Sequence, residues 1–302
     1  MRYIATVAIA AAVVLAGCER GSAPAGGGGT AGAPGAVEQR AEDTMDTQQL
    51  ISLIRMGHDD RAIEVATASG PSVFGPVEPL LSDPSPETRA IALRVLDAAD
   101  RERARPLAVK ALGDPTDEVK TFAVAVLRPD PPSGHMPEML SAFATARDPA
   151  LRGEIALLAG RVKPPEMVDA WRANWLNEED PYAKADVCKA LAKMGDEKAR
   201  EAYVAQMKQA KGRAVFDLVR GTDYFEETWI VPHLALMLDR TDVAIHLAPD
   251  FPDTHPFRVC DVAVEAVLKA TGEQVGFATP RPTPYSEDEI AQVRKIAAGY
   301  GG

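Results

Sequence analysis

Asp83-Pro84-Ser85-Pro86-Glu87-Thr88-Arg89-Ala90-Ile91-Ala92-Leu93-Arg94-Val95-Leu96 holds both the end of one helix and the beginning of another. Proline disfavours helical geometry in the residue before it, so Asp83-Pro84 stops whatever helix leads in. Ser85 then offers an N-cap oxygen, Pro86 stands where its missing N–H costs little, and Glu87 meets the positive end of the helix dipole. Beyond the cap, Arg89, Ala92 and Val95-Leu96 recur at helical offsets and share a face. Ile91 and Leu93 are apolar as well, so a single partner helix does not cover this one.

The arrangement returns along the chain. Asp-Pro pairs stand at Asp83-Pro84, Asp114-Pro115, Asp148-Pro149 and Asp180-Pro181, at spacings of 31, 34 and 32 residues. A basic residue follows each, at Arg89, Lys120, Arg152 and Lys184, in a register of 31, 32 and 32. Ala123 with Val126-Leu127, Ile155 with Leu158-Ala159, and Val187 with Ala190-Leu191 repeat the apolar face. Arg213, Phe216 and Val219 fit partly, and Val264 with Val267-Leu268 fits with Asp261 in the basic place. Each unit also has an earlier helix, expected over Arg103–Leu112, Pro137–Ala146 and Pro165–Trp175. An irregular first pair is expected at Thr47–Met56 and Asp59–Ser69. Ser286 to Glu289 form a capping box that opens a last helix through Ala298, a polar lid on the array. Units of this length bury their excess apolar surface by stacking on their neighbours. The expected fold is therefore all-α, an α-solenoid of stacked antiparallel helix pairs.

The repeat length, the Asp-Pro turn and the basic residue of the second helix resemble HEAT repeats, over roughly 73–272. The resemblance implies that Asp83, Asp114, Asp148 and Asp180 bond with Arg89, Lys120, Arg152 and Lys184 as an internal ladder, a structural role rather than a ligand site. It also implies an extended surface for partners. Some HEAT-like proteins resemble bilin lyases and others base-excision enzymes, but this chain has no distinctive chromophore-handling set and no basic groove in its sequence.

Outward from the repeats, the N-terminus reads as an address. Residues 3–16 are uncharged after Arg2, a run shorter than the roughly 20 residues a membrane-spanning helix needs. Leu15-Ala16-Gly17-Cys18 resembles the lipobox of bacterial lipoproteins, which implies a signal peptide over 1–17 and lipid on the Cys18 sulfur. Separately, the lack of cofactor-binding motifs in the sequence leads to the expectation of no metal or other cofactor. Glu19 after the cysteine favours, by the same resemblance, the outer membrane facing the periplasm. Residues 21–36 contain only Gly, Ala, Pro, Ser and Thr, and such a segment cannot offset its chain entropy by burial. The expected organisation is a signal peptide at 1–17, a flexible tether at 18–44, the repeat body at 45–272, and a proline-rich connection with a capping helix at 273–302. Gly27-x-Gly29-x-x-Gly32 matches a dinucleotide fingerprint only formally, since no strand precedes it.

Composition narrows the function. The 302 residues carry 44 acidic and 33 basic side chains, a net charge of −11, which argues against nucleic acid as partner and weakly favours basic partner segments. Twenty-four prolines exclude long uninterrupted helices, and aromatics at 6% leave an aliphatic core. There is no phosphate loop, no HExxH helix, no GxSxG elbow and no CxxC. Cys188 and Cys260 occupy different places in the repeat and read as buried small hydrophobes. Trp171 and Trp175, four apart near Tyr182, read either as packing between units or as an exposed anchor for a partner. The stretch 239–256 is long for a helix–helix connection and carries His246, Asp250, Asp253 and His255. These could hold a divalent cation, but no close pair has helical ligand spacing, so a partner-contacting loop is the stronger functional reading. His58, His135 and His233 stand alone. Glu226-Glu227 and Glu178-Glu179-Asp180 read as solvated. Together these features describe a membrane-anchored, non-enzymatic scaffold that binds a protein or peptide, with a structural or self-assembling envelope component as the alternative and a HEAT-like lyase or cofactor-handling enzyme as a more distant one.

Overall fold

Capping side chains and proline set the helix starts in the computed structural model, which describes residues 47–245 and 255–301. The expected signal peptide and tether, Cys18, His246, Asp250 and Asp253 lie outside the described residues. Two opening helices, α1 (Thr47–Arg55) and α2 (Asp59–Ser69), match the expected first pair almost to the residue. A one-turn helix α3 (Phe74–Val77) between 3-10 turns leads to α4 (Pro86–Ala99), whose N-cap Ser85 accepts from the Thr88 N–H as its sequence requires. Then follow α5 (Arg101–Ala111), α6 (Asp117–Leu127), α7 (Met136–Thr145) and α8 (Pro149–Val162). The series continues with α9 (Val168–Asn177), α10 (Pro181–Met194), α11 (Glu197–Gln209) and α12 (Arg213–Gly221). The last three helices are α13 (Val231–Ala235), α14 (Val259–Thr271) and α15 (Glu287–Ala298). Asp148 and Asp180 serve as N-caps themselves, accepting from the N–H groups of Ala150 and of Tyr182 and Ala183, with proline at the first helical position. The Ser286–Glu289 box closes in both directions.

Packing is both between neighbours in sequence and between alternate helices. α5 packs on α6, α7 on α8 and α9 on α10, while α2 meets α4, α4 meets α6, α6 meets α8 and α8 meets α10. α4 shows why its sequence is apolar on several sides: Ile91, Ala92, Val95 and Leu96 join a core with α1 and α2, and Leu93 joins the core that continues to α15. Leu93, Leu96, Leu112 and Leu127 are fully buried, each contributing about 2 kcal/mol against exposure.

The expected ladder of turn acids and helix bases is present in altered form. Arg89 Nε and Nη2 donate to Asp114 at 2.8 and 2.9 Å, joining one turn to the next. Arg152 makes the same two-pronged contact, at 2.7 and 2.8 Å, with Glu178 rather than Asp180. Lys120 lacks a guanidinium's reach and fork, and donates instead to Thr145 at 2.9 Å. Asp117 takes over part of the link by accepting from the Arg147 and Asp148 N–H groups, both at 2.8 Å. Lys184 reaches only the Glu178 carbonyl, at 3.2 Å. The acids of these four Asp-Pro turns are thus first of all turn and cap residues, and two of them also pair with an arginine, Asp114 with Arg89 and, more loosely at 3.7 Å, Asp83 with Arg55. Glu178, expected to be solvated, is 8% exposed because Arg152 clamps it against the turn.

The interruption after α13 has a small element of its own. β1 (Val243–Ile245) pairs antiparallel with β2 (Phe257–Arg258), which brings the two ends of the interrupting stretch together at the foot of α14. Asp261 is buried there between the Arg258 side chain, at 2.7 Å, and the Tyr285 N–H, at 3.0 Å, fastening the C-terminal connection to α14.

Candidate functional site

Two glycines and a tyrosine shape a cleft among the second helices. Gly160, in the last turns of α8, is where a side chain would collide with the Tyr224 hydroxyl and with the Ala190 Cα. Its bare backbone lets Tyr224, just past α12, cross to α8 and donate to the Leu157 carbonyl at 2.6 Å. Gly221 does the same for α10: a Cβ there would lie 3.1 Å from Lys189 Nζ and from the Tyr203 hydroxyl. The Tyr203 hydroxyl donates to the Leu218 carbonyl at 2.6 Å. Burial raises the pKa of both phenols, so they remain neutral donors.

The cleft that results has a volume of roughly 440 Å³ and is bounded by α6, α8, α10 and α12. Val124, Leu157 and Leu158 give it an apolar wall. Beyond Arg220 and Asp223 it adjoins a second hollow of about 570 Å³ between α14 and the segment 273–280, where Val262, Ala266, Val275 and Phe277 stand. Arg220 and Asp223 line both.

Charge in the first cleft is unevenly partnered. Its three carboxylates are each held by another cation: Glu154 by Arg128 at 2.8 Å, Glu226 by Lys193 at 2.7 Å, and Asp223 by Lys269 at 2.6 Å. Arg161 donates only to the Arg128 carbonyl, at 2.9 Å. Lys189 and Arg220 have no hydrogen bond or ion pair to any described residue. Lys189 lies 5.1 Å from the centroid of the Tyr224 ring, a cation–π contact. Burial holds its pKa below the ordinary lysine range, against the pull of Asp186 and Asp223. Asp186, one turn earlier and pressed against Gly153, is pushed up by burial. Lys193 is 3% exposed and donates to the Tyr224 carbonyl at 2.5 Å as well as to Glu226. That grip holds Glu226 in left-handed backbone, at φ 54°.

The residues singled out from sequence lie elsewhere. Trp171 is fully buried, edge-on to Phe143 with ring centroids 5.2 Å apart, so it offers no surface to a partner. Alternate-helix packing places that face of α9 inside, and this corrects the anchor reading for Trp171. Trp175 is half-buried and leans on the same core, while Leu176 and Tyr182 beside it are exposed. His255 is exposed next to β2. No group of three or more His, Cys, Asp or Glu side chains suited to a metal occurs among the described residues. Cys188 and Cys260 are buried and unpaired, and burial pushes the Cys188 thiol up to about 12.

The cleft cations escaped the sequence reading although they follow a register of their own. Arg128, Arg161 and Lys193 recur at 33 and 32 residues, and Lys189 and Arg220 at 31. Most sit in the last turn of a second helix or at its cap, where the dipole favours a cation, and that local role hides a collective one. Comparison with protein-family models gives no match, and comparison with curated proteins gives none.

Proposed function

We propose that this chain is a lipid-anchored HEAT-like repeat protein of the bacterial envelope, on the outer membrane facing the periplasm, that binds another protein or peptide without catalysing a reaction. On this reading the alternate-helix contacts α2–α4–α6–α8–α10 are layers of an α-solenoid, and Cys18 carries the lipid. The observation that supports it most is the pair of adjoining hollows lined by consecutive second helices, α6 to α14. A surface that crosses several layers suits an extended segment of a partner better than a single small molecule. Among the described residues, the buried thiols, the neutral tyrosines and the scattered histidines supply no nucleophile with a base beside it, which favours binding over chemistry.

A photo-reactive amino acid in place of Leu157, introduced into the full chain in its native envelope, tests the proposal. Recovery of one recurrent protein cross-linked from position 157, and not from exposed Tyr182, is the expected result. Cross-links only to another copy of the chain would favour the self-assembling alternative. Labelling of lipid and abundant neighbours alone would overturn the binding role.

A further inference from the structure

The acidity of the chain points to basic partners, yet the cleft between α6, α8, α10 and α12 carries the opposite demand. Its lining carboxylates Glu154, Asp223 and Glu226 are each taken by a cation at contact distance, which leaves Arg161, Lys189 and Arg220 without an ion pair to any described residue, with Asp186, Glu226 and Glu265 acting on them only from beyond contact. The buried Lys193 lies behind them. Lys189 is the most telling of the three, since Arg161 and Arg220 are exposed: it is half-buried, its ammonium rests against Gly221 and the Tyr224 ring, and no acceptor among the described residues replaces the water it has lost. Elsewhere in the body the half-buried arginines Arg89, Arg152, Arg172 and Arg281 each meet a carboxylate.

We infer that this cleft binds an acidic peptide segment of the partner, with its carboxylates on Arg161, Lys189 and Arg220 and a following apolar side chain in the hollow beside Phe277. The inference rests on the groove reading above and specifies its ligand. Arginine forks favour carboxylates in two-pronged geometry, and Lys189 adds a point charge where water is partly excluded. Val124, Leu157 and Leu158 on one side, and Val262, Ala266 and Val275 past Arg220, give the peptide's aliphatic parts somewhere to lie. A small free acid would use the cations and leave the second hollow empty, so the two-part cleft favours a chain.

The test is isothermal titration of the full chain, in detergent, with a capped peptide of three glutamates followed by leucine and phenylalanine. A counterpart with three lysines and free citrate form the other arms. The acidic peptide binds, salt weakens it, and Arg161→Gln, Lys189→Gln and Arg220→Gln together weaken it by about ten-fold or more. None of these side chains holds a structural carboxylate, and an unchanged circular dichroism melt of the variant keeps the comparison valid. Equal binding of the acidic peptide to the wild type and the triple variant would overturn the inference. Citrate binding that the acidic peptide does not displace would also overturn it. Binding of the lysine peptide in its place would overturn the acidic assignment and leave the groove standing, whereas failure of the position-157 cross-link overturns the groove itself.

Discussion

Arg89 on α4 and Asp114, the acid of the next Asp-Pro turn, are joined by two parallel N–H···O bonds of 2.8 and 2.9 Å, with both side chains about nine-tenths buried. Arg89 also donates to the Asp83 carbonyl at 2.9 Å, so one guanidinium fastens two successive turns. Asp114 meanwhile accepts from the Thr116 N–H and hydroxyl, at 2.9 and 2.7 Å. Removing the acid strands a buried cation, and that loss exceeds the small net value of an exposed pair. Asp114→Ala is expected to cost about 3 kcal/mol, roughly 6–12 °C in Tm for a body of this size. Thermal melts followed by circular dichroism measure it, and a shift below about 2 °C would show that the clamp is not what holds the turns together.

Acid should release the same kind of clamp between α8 and α10. The Arg152 bonds hold the Glu178 carboxyl below the usual glutamate range, overcoming the opposing effect of burial. A folded pKa below the unfolded one gives stability that is complete above roughly pH 4.3 and is lost as pH falls through the lower folded value. Glu178→Gln should therefore lower Tm at pH 7 while losing less further stability between about pH 4 and 2. Melts across that range check the slope, and parallel curves for the two proteins would rule out the linkage.

Gly160 tests whether helix propensity or close approach prevails. Alanine in a helix interior is favoured over glycine by about 1 kcal/mol. The new methyl would displace the Tyr224 hydroxyl from Leu157 and crowd Ala190, with overpacking costing about 1–3 kcal/mol and the lost hydrogen bond about 1 more. Gly160→Ala should therefore be destabilising by about 2 kcal/mol, and a stabilised variant in denaturant melts would mean that Tyr224 does not cross to α8.

Thiol chemistry gives an independent check on burial. Cys188 donates weakly to the Ala199 carbonyl at 3.5 Å and stays protonated at neutral pH, and burial also raises the Cys260 thiol. Both should resist iodoacetamide in the native protein and react once it is denatured, as mass spectrometry of the alkylated peptides would read. Rapid native labelling of either would place it at a surface.

Much of the secondary structure was legible because local chemistry dictated it. The Ser85 and Ser286 caps, the paired opening helices and the period of the Asp-Pro turns all act within a few residues. The ladder was legible only in outline, since which acid each base reaches depends on side-chain length and on turns that differ by one or two residues. Arg152 therefore finds Glu178, and Lys120 finds Thr145. The β1–β2 pairing was not foreseen because two short strands leave almost no pattern. The cleft was missed for a different reason. Arg161, Lys189 and Arg220 each look like ordinary surface cations, and only the distribution of their would-be partners among Arg128, Lys193 and Lys269 makes them a site.

The central claim is that the body is a series of equivalent layers, each held by its neighbours. Deleting residues 115–148, which joins Asp114 to Pro149 and restores an Asp-Pro turn with one 34-residue period removed, tests it most directly. The account predicts that this shortened chain still unfolds in a cooperative thermal transition with the same helical signal per residue, while a half-period deletion of residues 131–147, which removes α7 alone and sets α6 directly before α8, does not. Loss of cooperative unfolding in the in-register deletion would contradict it, because α8 would then have failed to take the place of α6 against α4.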